Sequence, residues 1–181
     1  LEWILGMGVT QDRKEKTISV NQSSKIKALL ERYNMTVKTK NTPLPPGWNS
    51  QYEWTPRNNA DLERTVENAR SAGLHKINDY KDFVHEFRSL LGALAHIALW
   101  GRNDIKHAVF LLARHQAKPG VNHWKGLLHI LKYLKGTKDL EMIYGNYNHT
   151  EEDVVRAQVD SDYCGNKSDV KSTTGYVIWL Y

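Results

Sequence analysis

Two periods of apolar and polar positions along the chain predict its secondary structure. Near the start, an apolar segment (1–9) and a β-rich segment (17–20) flank a polar stretch, which predicts a β-hairpin with an exposed turn. After Ser23 or Ser24, either of which could cap a helix, apolar residues recur every three or four positions. These residues are Ile26, Leu29, Leu30 and Tyr33, and they predict a first helix.

The proline-rich segment 41–47 predicts a connector, because proline lacks a backbone donor and cannot continue a helix. Residues 60–72 have helical composition but few apolar positions. The strongest helical pattern runs from Tyr80 to Trp100 and predicts the central helix of the domain. Within it, the small residues Gly92, Ala93 and Ala95 are expected to allow close approach of a neighbouring element.

Two further helical patterns complete a predicted bundle. The first is expected to be capped by Asn103 or Asp104 and to end before Pro119. The second runs from about Asn122 to Gly136, and glycine readily takes the left-handed conformation at a helix end. The short joints between these helices predict compact packing.

Beyond Gly136 the period changes to about two, which predicts strands at 140–144, 154–159 and 174–180. The polar segment 145–153 predicts a domain boundary. A sheet of two or three strands has too little surface to bury by itself, so the second domain is expected to be incomplete. The predicted fold class is therefore α+β, with an N-terminal β-hairpin (1–22), a central helical bundle (23–144) and a C-terminal partial β-sheet (154–181).

The composition of the chain excludes only a few classes of protein. With 181 residues, 40% hydrophobic and 25% charged, the chain suits one or two globular domains, and no apolar run is long enough to span a membrane. The single cysteine, Cys164, excludes an intrachain disulfide and a cysteine-based zinc site, which predicts a reducing compartment. The chain starts without methionine, so we expect an internal piece of a longer polypeptide.

A basic strip on the last predicted helix and its exit is the first candidate site. The net charge of +5 permits a polyanionic partner, but the placement of the charges says more. No acidic residue precedes Asp139 in this region, so the strip could lie along the phosphates of a duplex. It could equally be a solvated helix face. Its residues are Lys125, His129, Lys132, Lys135 and Lys138.

Asp160 and Asp162 are the second candidate site. Residues two apart in a strand face the same way, so both carboxylates could approach one hard cation such as Mg²⁺. Two carboxylates do not complete a two-metal site, and such a motif is more often a turn or a solvated strand edge. The histidines lack metal-site spacing, no phosphate-binding loop occurs, and Trp124 is expected to be a core residue rather than a base-stacking one.

The order of several short motifs is more informative than any one of them. It resembles the closing part of the reverse transcriptase, and then the opening of the RNase H domain, in copia-type LTR retrotransposons. The motifs are Leu5-Gly6-Met7, Gln22, Leu30 to Met35, Asn41 to Leu44, Phe87 to Leu94, Arg102 to Ile105, His123-Trp124, Leu131 to Thr137, Asp160 to Tyr163 and Lys171 to Tyr176.

This resemblance implies that the hairpin ends a palm, that the helices form the thumb and connection region gripping template and primer, and that the last strands begin an RNase H-like sheet. It also implies that Asp160 is an RNase H metal ligand, that Asp162 is a second contributor, and that Mg²⁺ serves the complete parent, an RNA-directed DNA polymerase with RNase H activity. Asn103 departs from the family, which usually has proline there, and Asp162-Tyr163 replaces a common aspartate-tryptophan pair.

The expected function is therefore that of a Pol polyprotein fragment that binds a template–primer duplex and is catalytically incomplete alone. The expected partners are an RNA/DNA or DNA duplex and the remainder of the Pol polyprotein, in a cytoplasmic virus-like particle or the nucleus. One alternative is a non-catalytic nucleic-acid-binding or structural protein derived from a retroelement. A further alternative is an RNase H-like nuclease that completes its site by oligomerisation.

Overall fold

The computed structural model describes residues 3–36, 38–48, 55–145, 155–162 and 172–180, and it contains both helices and antiparallel sheets. The predicted α+β class is confirmed. The predicted boundary at 145–153 lies, apart from Gly145, outside the described residues, as do Tyr163, Cys164 and Lys171. None of the described helices is both long and apolar enough to cross a bilayer.

The first sheet has four antiparallel strands in the order β1-β2-β3-β4. The predicted hairpin is β2–β3, in which Val9 pairs with Val20. The apolar start is divided into two strands by a tight turn, where Leu5 and Gly6 have φ of 51° and 74°. The strands are β1 (Trp3–Ile4), β2 (Met7–Asp12), β3 (Thr17–Asn21) and β4 (Met142–Gly145).

The strand predicted at 140–144 is present as β4, and it pairs with β3 at the other end of the chain. The side chains support this closure, since Asn21 Nδ2 donates a hydrogen bond to Glu141 Oε1 at 3.2 Å. Hydrophobic periodicity identified the strand but not its partner, because pairing between distant segments leaves no local pattern.

Five α-helices and one short 3₁₀ helix lie between β3 and β4 in the described residues, and all the predicted helices are present. They are α1 (Ser23–Arg32), α2 (Asn59–Ser71), α3 (Tyr80–Leu99), the 3₁₀ helix (Asn103–Ile105), α4 (Lys106–Ala113) and α5 (Val121–Gly136).

The core is formed mainly by α3 and α5, as the strong apolar pattern of α3 predicted. Each fully buried large apolar side chain contributes about 1.5–3 kcal/mol relative to exposure. The fully buried members include Phe83, Phe87, Leu90 and Leu94 of α3 and Trp124, Leu127, Ile130 and Leu131 of α5.

The predicted caps of α1 and α4 are wrong. Gln22 precedes α1 and gives no side-chain cap, while Ser23 Oγ donates instead to the carbonyl of Lys138 at 2.9 Å. Neither Asn103 nor Asp104 caps α4, because both lie in the 3₁₀ helix and the Asp104 carboxylate binds Arg102. The Ser23 and Asp104 side chains thus bind other groups than the helix ends that they were expected to cap.

Two glycine predictions are also wrong. Gly136 is the last residue of α5 and does not have a left-handed conformation. Gly92 is exposed, and a Cβ added there would meet no atom within 4 Å. The close approach occurs at Gly126 of α5, where an added Cβ would lie 3.0 Å from Leu112 Cδ2 and 3.3 Å from Trp48 Cζ2.

A second, two-stranded antiparallel sheet is formed by β5 (Val155–Ser161) and β6 (Thr174–Leu180). In its register Asp160 pairs with Gly175 and Ser161 with Thr174. The strands predicted at 154–159 and 174–180 are thus present, but two strands do not identify the RNase H-like fold.

Candidate nucleic-acid interface

The predicted basic strip lies on the less buried side of α5 and continues just past the end of that helix. Its residues are Lys125, His129, Lys132, Lys135 and Lys138. Trp124, Leu127 and Leu131 face the core, which leaves the positions between them to the surface. Lys125 is exposed, whereas His129, Lys132 and Lys135 are half-buried. The amphipathic pattern of α5 therefore gathers the cations on one side.

The connector, which from here on denotes Thr36 and residues 38–47 after α1, lies against this strip, and for this reason three residues of the strip are half-buried. The backbone N–H of Lys40 donates to the carbonyl of Lys132 at 3.3 Å. His129 Nε2 lies 3.1 Å from the carbonyl oxygen of Thr42, and Lys135 Nζ donates to the carbonyl of Thr36 at 3.2 Å. The strip and the connector thus form one surface.

Sequence reasoning missed Lys40, which this contact adds to the strip. Lys40 and Lys132 both disfavour a further positive charge at His129. Burial is the largest cause that lowers the pKa of His129, the hydrogen bond with the Thr42 carbonyl opposes it, and the two lysines lower it further. In the sequence, the only sign of a role for Lys40 was the pair Lys38 and Lys40 before the prolines, and this pair does not show where the connector docks.

The lysines of this surface differ in their ion pairing. Within the described part of the chain, Lys40, Lys125 and Lys132 form no ion pair. Lys138 differs, because it forms an ion pair with the exposed Asp139 and lowers the pKa of that carboxyl. The geometry therefore favours Lys40, Lys125 and Lys132 over Lys138 as contacts for an anion.

Trp124 is a core residue, as predicted. It is 1% exposed and packs edge-on against Tyr33, with ring centroids 5.8 Å apart. Tyr133, on the same helix, also has a structural contact, because its hydroxyl donates a hydrogen bond to Asp104 Oδ2 at 2.7 Å.

Arg102 joins the 3₁₀ helix to the end of α5, a role that sequence reasoning also missed. It is 2% exposed and donates to both carboxylate oxygens of Asp104, at 2.9 and 2.7 Å. It also donates to the carbonyl of Thr137 at 2.7 Å. This network fixes the end of α5, and with it the position of the basic strip.

Asp160 and Asp162 lie at the end of β5. Asp160 is an exposed strand residue, while Asp162 follows the strand and accepts the backbone N–H of Thr173 at 2.6 Å through Oδ1. The pair offers the oxygen ligands that Mg²⁺ prefers, but one of those oxygens is already engaged, and a magnesium shell needs further ligands. Among the described residues, no group of three or more potential ligand side chains could hold a metal ion.

His123, in the first turn of α5, has a structural environment. Its Nδ1 accepts the backbone N–H of Gly120 at 2.8 Å, and its ring stacks on that of His115 with centroids 3.9 Å apart. Burial and the neighbouring His115 lower the pKa of His123 to about 3.

Known proteins similar to this chain include several transposon polyproteins. A retrovirus-related Pol polyprotein from transposon TNT 1-94 of Nicotiana tabacum is 29% identical over 175 residues, which is 96% of this chain and 12% of that protein. The corresponding polyprotein from transposon RE1 of Arabidopsis thaliana is 29% identical over 176 residues, or 96% of this chain and 10% of its own length. That from transposon RE2 of the same plant is 33% identical over 95 residues, covering 52% of this chain and 6% of the relative.

The chain thus spans about a tenth of these relatives or less. No family model and no solved structure matches it. The relatives nevertheless confirm what the order of the motifs indicated: the chain is homologous to a short part of the retrovirus-related Pol polyproteins of copia-type plant transposons.

Proposed function

We propose that this chain binds a nucleic-acid duplex as part of a retroelement Pol polyprotein and does not complete a catalytic centre by itself. The observation that carries the proposal is the surface formed by α5 and the connector, where Lys40, Lys125 and Lys132 lie without carboxylate partners in the described residues. The relatives' names support the retroelement context.

The dimensions of α5 suit this role. At a rise of 1.5 Å per residue, Lys125 and Lys135 lie roughly 15 Å apart along the helix. Duplex DNA carries one negative charge per about 1.7 Å of axis, so several phosphates fall within that length. The duplex would be held through its backbone, and binding should depend little on base sequence.

The test compares duplex binding by the wild type and by the double variant Lys125→Ala/Lys132→Ala. Fluorescence anisotropy with an RNA/DNA hybrid and a DNA duplex would be recorded at several salt concentrations. If both lysines contact phosphates, the slope of log K against log salt for the DNA duplex should fall by about 1.8, at about 0.9 per phosphate contact. Affinity should fall to a similar extent for unrelated base sequences.

The matched control is Lys81→Ala/Lys106→Ala, which removes the same charge from exposed positions on α3 and α4. It should leave the slope nearly unchanged. Equal slopes for the two double variants and the wild type would contradict the proposal. A thermal melt of each variant checks that the connector's contacts with α5 persist.

The proposal assigns Asp160, with Asp162 as a secondary contributor, to a Mg²⁺ site that other parts of the polyprotein would complete. Accordingly, the isolated chain should neither extend a primer nor hydrolyse an RNA/DNA hybrid, and Asp160→Asn should leave duplex affinity unchanged. Hybrid hydrolysis lost on Asp160→Asn would instead favour a nuclease assembled from several copies.

A second candidate is a non-catalytic binding or structural protein derived from a retroelement. The engagement of Asp162 Oδ1 with the Thr173 N–H favours it, because that oxygen already has a structural partner. In that case, adding the missing polyprotein segments in trans would not produce Mg²⁺-dependent hydrolysis, whereas a fragment of an active parent would gain it.

A further inference from the structure

His129 interacts electrostatically with two lysines that come from different elements. Lys132 is on the same helix, and Lys40 is brought to it by the docked connector, whose backbone N–H donates to the Lys132 carbonyl at 3.3 Å. Both lysines act electrostatically on the imidazole. Three groups that can carry positive charge are therefore close enough to interact where the connector crosses α5.

The hydrogen bond of His129 determines which ring nitrogen carries its proton when it is neutral. Nε2 lies 3.1 Å from the Thr42 carbonyl oxygen, which can only accept, so Nε2 carries the proton. Nδ1 then presents a lone pair, and within the described residues it has no hydrogen-bond partner and is not sealed from solvent. A phosphate oxygen beside that lone pair would be repelled, but a protonated Nδ1 would donate to it.

We infer that Lys40, His129 and Lys132 form a binding site for one backbone phosphate of the duplex, and that His129 takes up a proton at Nδ1 when the phosphate binds. The inference rests on the proposed duplex binding and goes beyond it. It gives the connector a direct role, and it makes affinity depend on pH. A phosphodiester keeps its charge across the physiological range, so the proton comes from solvent and the imidazole is the group that changes.

The groups that face His129 determine the direction of the pH effect. In the free protein, Lys40 of the connector and Lys132 of α5, together with burial, lower the pKa of His129, and only the Thr42 carbonyl raises it. The ring is then neutral near pH 7. A bound phosphate offsets the two lysines and raises the pKa, so binding should tighten as pH falls from 8 to 6, by up to tenfold per pH unit for one linked proton.

The experiment measures duplex affinity between pH 6 and 8 for the wild type, Lys40→Ala, Lys132→Ala and His129→Gln, with Lys81→Ala as the control. The Lys40 variant keeps its backbone bond to Lys132, and each lysine variant should reduce the salt slope for a DNA duplex by about 0.9. Glutamine can still donate to the Thr42 carbonyl but cannot take up a proton, so His129→Gln should bind with a nearly flat pH profile. NMR titration of the His129 ring should show its pKa rising when duplex is added.

The outcomes distinguish failure of this inference from failure of the proposed function. If the wild type shows no salt-sensitive duplex binding, the proposed function fails and the inference with it. If the wild type binds and Lys132→Ala weakens binding, but Lys40→Ala behaves like Lys81→Ala, the phosphate site is wrong while duplex binding stands. A pH profile that is identical in the wild type and His129→Gln would overturn the proton uptake.

Discussion

The burial of His123 makes the stability of the fold sensitive to acid. The ring is fully buried, its Nδ1 accepts the Gly120 N–H, and its Nε2 has no hydrogen-bond partner among the described residues. Protonation would place a charge at Nδ1, where a donor already points, beside the stacked ring of His115. The neutral form is therefore strongly favoured in the folded state.

The unfolding free energy should fall in acid because of this residue. The pKa of His123 is about 3 when folded and about 6.5 when unfolded, so the unfolded state binds the extra proton between these values. Stability should be independent of this group above pH 6.5 and should fall below it, by up to about 1.4 kcal/mol per pH unit. Urea unfolding at a series of pH values measures the effect.

Variants at two histidines isolate the contribution of His123. His123→Asn keeps an acceptor for the Gly120 N–H but does not titrate, so its stability should decline less between pH 6.5 and 5 than that of the wild type. The exposed His107, replaced in the same way, should leave the wild-type profile unchanged. Parallel profiles for wild type and His123→Asn would refute this account.

At the scale of elements, the close approach of helices occurs at a glycine other than the predicted one. Gly92 was predicted to permit a close contact of α3, but the space beside it is open. Gly126, which no pattern singled out, lies against the buried side chains of Leu112 and Trp48. Periodicity gives the buried face of a helix, yet the point where two helices come closest depends on their crossing, which is a tertiary property.

Alanine should therefore have opposite effects at these positions. Gly92→Ala should raise the unfolding free energy by about 1 kcal/mol, because alanine favours a helix and meets nothing. Gly126→Ala gains the same propensity but crowds Leu112 Cδ2 at 3.0 Å, and overpacking costs about 1–3 kcal/mol, so a net loss of about 1 kcal/mol is expected. Chemical denaturation of the two variants against wild type decides the matter; equal changes at both positions would show that packing does not matter here.

The elements themselves were largely predictable, since their signals are local. The pattern Phe83, Phe87, Leu90, Leu94 repeats within one helix and needs no knowledge of the rest of the chain. The docking of the connector on α5 was not predictable, because it depends on backbone groups such as the Lys132 carbonyl that carry no residue-specific signal. For the same reason Lys40 was missing from the predicted site, while the lysines of α5 were recognised.

At the scale of the whole molecule, the four-stranded sheet joins segments from both ends of the helical region. Because β4 pairs with β3, the sheet brings the start of the chain together with the segment that follows the last helix. Ser23 Oγ, bound to the Lys138 carbonyl, reinforces the same junction. The predicted strands were right, but their assembly required contacts that no local pattern reveals.

Gly145 provides a test of whether sheet and bundle open independently. Its φ is +94°, and an added Cβ would overlap the Lys16 carbonyl oxygen, so Gly145→Ala should disrupt the end of the β3–β4 pairing. Strain of about 1–3 kcal/mol would speed hydrogen exchange of the β3 amides by roughly 10- to 100-fold. Amides in α3 should keep their protection, as β3 should in the control Gly92→Ala.

Two other results would contradict this expectation. Unchanged protection in β3 would mean that the sheet tolerates the substitution. Equal loss of protection in β3 and α3 would mean that sheet and bundle open as one unit.

The pairing of β3 with β4 also sets an order of events during synthesis. Asn21 and its hydrogen-bond partner Glu141 are 120 residues apart, so the early hairpin leaves the ribosome long before its last strand exists. During that interval the outer backbone groups of β3 are uncovered, and such an edge can recruit other extended chains. A nascent chain stalled before β4 should therefore aggregate more readily than one released after it.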